Sequence, residues 1–237
     1  MRPEQEFFLG AKPYRPDERD YLYRDAALGA AFAESRRFWG MVGPQFRINQ
    51  GGEGTCVAHG ATNVLLASPT EHELYPPFAT PETAHDWARA LYLEASGDAT
   101  YQEGMYPRDV CVELLDRGLI SSYHRAATVT ECLDALLTTG PLMFASPWWS
   151  SMDVQRTNLQ DRIGKWYVKV NPDSDLRGFH LYALTGIDLA PDKGPPFVRM
   201  ENSWGPGFAD NGTARIAVDD LNILYDGDAW VMVEAVF

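Results

Sequence analysis

The stretch Asn49-Gln-Gly-Gly-Glu-Gly-Thr-Cys56 places one of three cysteines directly after a glycine-rich turn. Cys56 also opens an apolar pattern, Val57, Ala61, Val64 and Leu65, with helical spacing. A thiol at a helix N-terminus sits among unpaired backbone N–H groups, at the positive end of the macrodipole. Both favour the thiolate, which is the nucleophilic form of cysteine. The flanking glycines allow a sharp turn and leave room for a substrate. A small, buried core cysteine fits the same residues, and the local pattern leaves both readings open.

A nucleophilic thiol needs a base, and the base needs an orienting group. The chain has five histidines. His72 and His85 lie in or beside a proline-rich stretch, His124 follows a helix end, and all three read as ordinary surface residues. His59 is one turn along the same helix as Cys56, so its ring projects away from a thiol at the tip. His180 is placed differently, at the head of the apolar run "FHLYALTGI". Downstream, "RMENSWGPGFADNGTARI" puts Asn202, Ser203 and Trp204 at a glycine-rich turn. An asparagine amide can accept a hydrogen bond from one imidazole nitrogen, fixing the tautomer and turning the other nitrogen to the thiol. Trp204 would cover that bond. The plainer alternative is a histidine satisfied in a core and a hairpin plugged by tryptophan.

These residues need elements to position them. The sequence predicts helices over 56–66, 83–95 and 107–117, the last with Pro107 in its first turn and Gly118 just beyond its end. Thr128-x-x-Glu131 predicts a capping box ahead of a further helix. Residues 68–82, with four prolines, read as a loop. After Pro141 the runs "LMFAS", "FHLYALTGI", "PFVRMEN", "TARIAV" and "AWVMVEAVF" read as strands, with a hairpin turn at Asp210-Asn211-Gly212. Helices first and strands second predict an α+β fold. Residues 1–48 lack periodicity and read as an extended arm laid over the surface.

Composition bounds the partners. With 20 basic and 33 acidic side chains the net charge is −13, which disfavours nucleic acid. No apolar stretch is long enough for a transmembrane helix, so no membrane partner is expected. The N-terminus lacks the apolar region of a signal peptide, which makes a cytoplasmic location the expectation, or a virion-associated one if the chain is phage-encoded. Three cysteines are too few for a disulfide framework, and Cys111 and Cys132 sit in apolar helical patterns as core thiols. No Cys/His pair has metal-ligand spacing, so neither a metal nor a cofactor is expected.

Taken together, these segments resemble the papain-like cysteine peptidases. That family carries a glutamine, a glycine-rich turn and a nucleophilic cysteine, then a histidine heading an apolar strand, then Asn-Ser-Trp-Gly. Here those are Gln50, Cys56, His180 and Asn202-Ser203-Trp204-Gly205, in the family's order. "EGMYPRDVCVELLDRGLIS" and "LLTTGPLMFASPWW" resemble bacterial and phage members. The resemblance spans about residues 14–237. It implies one domain over 1–237: an arm (1–48), a mainly helical lobe (about 49–140), a mainly β, barrel-like lobe (about 141–237), and a cleft between the lobes. It implies hydrolysis of peptide bonds in peptide or protein substrates. Cys56 would attack, His180 would act as base and acid, Asn202 would orient it and Trp204 would shield the contact. Gln50 would share the oxyanion hole with the Cys56 N–H. Met105, Ala145 and Phe179 fall near the main specificity pocket and imply an apolar residue two positions before the cut. The same residues could serve another acyl transfer or cut cell-wall peptides, or survive in a non-catalytic structural module.

Three features depart from the family. Glu53 stands where a disulfide cysteine is common, Val57 where an aromatic residue is usual, and the segment before Gln50 is too short for a full pro-domain.

Overall fold

The computed structural model describes residues 8–23, 34–40, 47–67, 80–153, 166–192 and 194–234. Seven strands and five α-helices are found among them. They are β1 (Arg36–Phe38), α1 (Cys56–Ala67), α2 (Pro81–Ser96), α3 (Pro107–Asp116), β2 (Ile120–Arg125), α4 (Val129–Thr138), β3 (Leu142–Trp149), β4 (Leu176–Asp188), β5 (Phe197–Glu201), β6 (Thr213–Ala217), α5 (Val218–Leu224) and β7 (Ala229–Glu234). The class is α+β, as the segregation of helical and strand patterns predicts.

The strands form one sheet in the order β2-β7-β3-β4-β5-β6, with β1 paired to β4. Every strand pair is antiparallel. β3 and β4 are buried on both faces, which is why their sequences run almost continuously apolar rather than alternating. Their side chains still divide by face. Met143, Ala145, Leu181 and Ala183 enter one core with α1 and α3. Leu142, Phe144, Tyr182 and Leu184 enter a second core with α4 and α5. The sheet is thus a wall between two cores, and His180 stands near one end of it.

Helix ends follow local chemistry. Thr80 caps α2 by accepting from the Thr83 N–H, Pro81 supplies the first turn, and Gly97 ends the helix in the left-handed region at φ 71°. Thr128 caps α4 as expected, but Glu131 reaches back to the Ala127 N–H rather than to the cap residue. All twelve residues of α1 are buried, so its apolar spacing marks an interior helix rather than a surface one. Two elements escaped the sequence pattern. β2 alternates too weakly to stand out yet pairs with β7, and β1 has only three residues. Most of the proline-rich stretch, 68–79, lies outside the described residues, as does His72.

Candidate active site

Cys56 opens α1, and the turn before it holds Gln50. His180 on β4 and Asn202 just after β5 are brought together by the antiparallel pairing of those strands. His180 Nε2 lies 2.7 Å from Asn202 Oδ1. The Ser203 N–H donates to that same oxygen at 2.8 Å, which identifies it as the amide oxygen. Nε2 must therefore carry the hydrogen, leaving Nδ1 as a bare lone pair. Nδ1 is buried and makes no hydrogen bond. Trp204 stacks on the imidazole with centroids 4.6 Å apart and planes 22° apart, and Trp148 meets it edge-on at 5.2 Å. Both rings pack against the imidazole.

Gln50 is fully buried. Its Oε1 accepts from the Ser203 hydroxyl at 2.5 Å, which aims the Nε2 end. That end donates to the Glu53 carbonyl at 2.8 Å and to the Phe8 carbonyl at 3.1 Å. The second acceptor belongs to the N-terminal arm. The arm was expected on the surface; instead Phe8–Lys12 runs between Gln50, Cys56, Met105 and Phe179. Lys12 N–H donates to the Met105 carbonyl at 3.0 Å, and Met105 N–H to the Gly10 carbonyl at 2.9 Å, in a parallel bridge. Ala11 N–H reaches the Phe179 carbonyl at 3.4 Å. The Gly10 N–H points at Cys56 Sγ, 3.3 Å away.

This strap fits because of glycines. A Cβ on Gly10 would lie 1.8 Å from the Gly54 carbonyl oxygen, and one on Gly104 would lie 2.3 Å from the Gly10 oxygen. Beyond the cleft the strap is anchored at Arg108. That side chain meets Asp20 at 2.5 Å and Asp17 at 3.6 Å, and donates to the Arg15 carbonyl at 2.8 Å. Tyr14 adds a 2.8 Å bond to Asp20. The sequence signal for the strap was slight, a lone glycine in "FFLGAK".

Burial dominates the titration of both groups. Cys56 and His180 are both 0% exposed. Burial pushes the thiol up to about 11, although the backbone amides of Leu181, Gly10 and Ala11 pull the other way. Burial pushes His180 down to about 4, opposed by its bond to Asn202. The sequence predicts a thiolate favoured by the helix N-terminus. Burial instead pushes both groups toward their neutral forms, against the helix N-terminus. Glu53 is paired with Arg89 at 3.1 Å, which offsets its charge beside the thiol.

The other candidates are placed as follows. Met105 and Ala145 are buried in the Cys56 core, and Phe179 packs against it half-buried. His59 stays apart from the thiol: its Nδ1 meets the Thr55 carbonyl at 3.0 Å and its Nε2 meets His85 Nδ1 at 2.9 Å. His85 was expected on the surface, but it is half-buried because it bridges α2 to α1. His124 bonds Ser122 at 3.1 Å. Cys56, Cys111 and Cys132 are all unpaired and buried. Among the described residues no cluster of metal-ligating side chains occurs and no helix is long and apolar enough to cross a membrane.

No family model and no curated protein matches the chain. Solved structures do. Xylellain, a cysteine protease from Xylella fastidiosa, superposes at a TM-score of 0.73 with 16% identity, covering 100% of this chain and 99% of that one. Digestive procathepsin L2 proteinase from Tenebrio molitor larval midgut gives 0.64 with 15% identity over 98% and 81%. Bromelain protease from Ananas comosus, in complex with the E64 inhibitor, gives 0.60 with 12% identity over 85% and 100%. The fold of this chain is that of the papain-like cysteine proteases.

Proposed function

We propose that the chain is a cysteine peptidase that hydrolyses peptide bonds, held in a latent form by its own strap. The observation that carries this reading is the His180–Asn202–Ser203 arrangement, which leaves Nδ1 of a buried imidazole bare, next in the chain to Leu181, whose backbone amide lowers the Cys56 thiol against the effect of burial. With the strap displaced, solvent and the imidazole stabilise charge on the pair, and the Cys56 proton passes to Nδ1. The thiolate attacks the substrate carbonyl carbon and an S–C bond forms. The resulting oxyanion lies against Gln50 Nε2, which in the strapped form already binds a carbonyl oxygen, and against the Cys56 N–H. Nδ1–H then protonates the departing amine as the C–N bond breaks. Water, deprotonated by Nδ1, cleaves the thioester. Asn202 holds the ring and Trp204 shields its bond.

The strap is not a substrate as seated. An N–H, rather than a carbonyl carbon, faces the sulfur, and the strap runs parallel to Met105. The test is incubation of the full chain with a thiol-directed peptidyl epoxide, followed by mass mapping. An adduct on Cys56, absent from Cys56→Ala and from denatured protein, supports the reading. Labelling confined to other residues overturns it.

A further inference from the structure

The mechanism leaves one buried imidazole unused. His59 is 0% exposed, on a helix whose twelve residues are all buried. Burial pushes the ring down to about 3, so at neutral pH it carries a single hydrogen. Its partners show which nitrogen holds that hydrogen. Nδ1 lies 3.0 Å from the Thr55 carbonyl oxygen, which can only accept, so Nδ1 donates. Nε2 is then a bare lone pair, 2.9 Å from His85 Nδ1, so His85 donates to it. The hydrogen bonds run one way, from His85 on α2 through the His59 ring to Thr55.

The Thr55 carbonyl accepts twice from this one residue, because the His59 backbone N–H also reaches it at 3.1 Å. An ordinary helix offers such a carbonyl one bond, from the amide four residues on. The carbonyl belongs to the peptide unit whose nitrogen is the Cys56 N–H. A peptide is a single resonance system. Hydrogen bonds accepted by its oxygen draw charge from its nitrogen and make the N–H a stronger donor. Two donors on the oxygen also fix the plane of the peptide, and so the direction of the N–H. The turn before Thr55 is built on Gly51, Gly52 and Gly54, which have no side chains to hold that plane from the other side. Packing alone would be served at position 59 by an apolar ring, without the cost of burying a polar one.

We infer that His59 is a positioning residue for the oxyanion hole: through the Thr55–Cys56 peptide it aims and strengthens the Cys56 N–H, and His85 holds it in the tautomer that does so. This rests on the peptidase reading and deepens it. One donor of such a hole is worth about 10²–10³ in kcat. Cooperative strengthening of that donor by about 10–30% is then worth about two- to eightfold. Loss of aim adds to this figure. Both effects act on the transition state, where the oxyanion exists, and not on substrate binding.

The experiment compares two reactions of Cys56 in the full chain carrying Gly10→Ala, a substitution that crowds the strap against Gly54. Peptide hydrolysis passes through an oxyanion. Alkylation by iodoacetamide displaces iodide from carbon and forms none, so it reads the thiolate and its access alone. His59→Phe keeps a ring and removes the donor. Its kcat should fall by about two- to eightfold or more, with KM and the alkylation rate unchanged. His59→Asn places an amide N–H where Nδ1 stood and should recover most of that loss. His85→Phe leaves the His59 donor in place but takes away the bond behind it, and should lower kcat by a smaller factor. Unchanged kcat in His59→Phe overturns the inference. So does a fall in kcat matched by slower alkylation or a raised KM, which would make His59 a packing residue of α1, and so does failure of His59→Asn to improve on His59→Phe. If His59→Phe does not fold, His85→Phe decides: lowered kcat at constant alkylation supports the inference, and unchanged kcat overturns it. A Gly10→Ala chain that is alkylated at Cys56 but hydrolyses no peptide removes the peptidase reading itself, and this inference with it.

Discussion

The Gly10 amide nitrogen lies 3.3 Å from Cys56 Sγ and points its hydrogen at the sulfur. A backbone group of the chain's own N-terminal segment thus covers the thiol.

Gly10→Ala should unseat the strap. The added methyl carbon would fall 1.8 Å from the Gly54 carbonyl oxygen, a backbone atom that cannot swing away. Overpacking of this kind costs about 1–3 kcal/mol, enough to raise the open fraction about 5- to 150-fold. Iodoacetamide should modify Cys56 correspondingly faster, with Cys111 and Cys132 unchanged. Wild-type rates at Cys56 would show that the strap does not guard the thiol.

The pH dependence should move with the strap. In the full chain the Cys56 thiol is pushed up to about 11, so its alkylation rate should keep rising past pH 9. In Gly10→Ala the thiol gains solvent and the imidazole as partner, and its titration should fall below the free-cysteine value of about 8.5. Adding His180→Ala should return it toward that value. Rate–pH profiles of the three proteins decide the point.

Within the Gly10→Ala background, Gln50→Ala should lower kcat more than it raises KM, by about 10²–10³, because the oxyanion exists only in the transition state. Asn202→Ala should cost less than Cys56→Ala, since it orients the ring without taking a proton. Peptide-hydrolysis kinetics separate the two; a change confined to KM for Gln50→Ala would place that residue in ground-state binding.

Cys56, His180, Asn202 and Gln50 stand out in the sequence because each sits at a local irregularity: a glycine turn, the head of an apolar strand, a break between strands; the structure brings His180 to Asn202 and Gln50 to Ser203. Their state of charge was not. It depends on Phe8–Lys12, whose pairing with Met105 is a contact across more than ninety residues with no periodic signature. β3 and β4 were visible as apolar runs, but which side chain faces which core follows only from the register of the sheet. The His59–His85 bridge likewise joins two helices whose approach the sequence does not encode locally.

Gly60→Ala should destabilise the fold. A Cβ there would meet Leu181 Cδ2 at 2.1 Å, where α1 packs against β4. Leu181 is fully buried and has little room to rotate away. The cost should be about 1–3 kcal/mol, measured by chemical denaturation. An unchanged midpoint would mean that Leu181 repacks freely, and that the helix–sheet contact behind the thiol is looser than its geometry suggests.

Arg108→Gln should loosen the strap from its far end. Burial pushes the Asp20 carboxyl up, but hydrogen bonds from Arg108, Tyr14 and the Asp17 N–H outweigh it and hold Asp20 below the usual carboxylate range. A depressed carboxyl stabilises the strapped form above its free value of about 4, and that contribution is lost only as pH falls through the lower, strapped value. Acidification to pH 5 alone should therefore leave Cys56 protected in the wild type. Removing the guanidinium strands Asp20 in a buried place, where loss of one ion-pair partner costs about 3–5 kcal/mol if the structure cannot relax. Here it can relax, because Asp17 and Asp20 leave with the strap. Cys56 in Arg108→Gln should then be alkylated rapidly at pH 7, with the midpoint of global unfolding lowered less than the full cost of a trapped charge. Adding Asp20→Asn to Arg108→Gln should restore part of the protection, since a neutral side chain there no longer demands a cation. Alkylation rates at pH 5 and 7 for the three proteins test the anchor. Protection that survives in Arg108→Gln would assign the hold on the strap to the Met105 bridge and Gln50 alone.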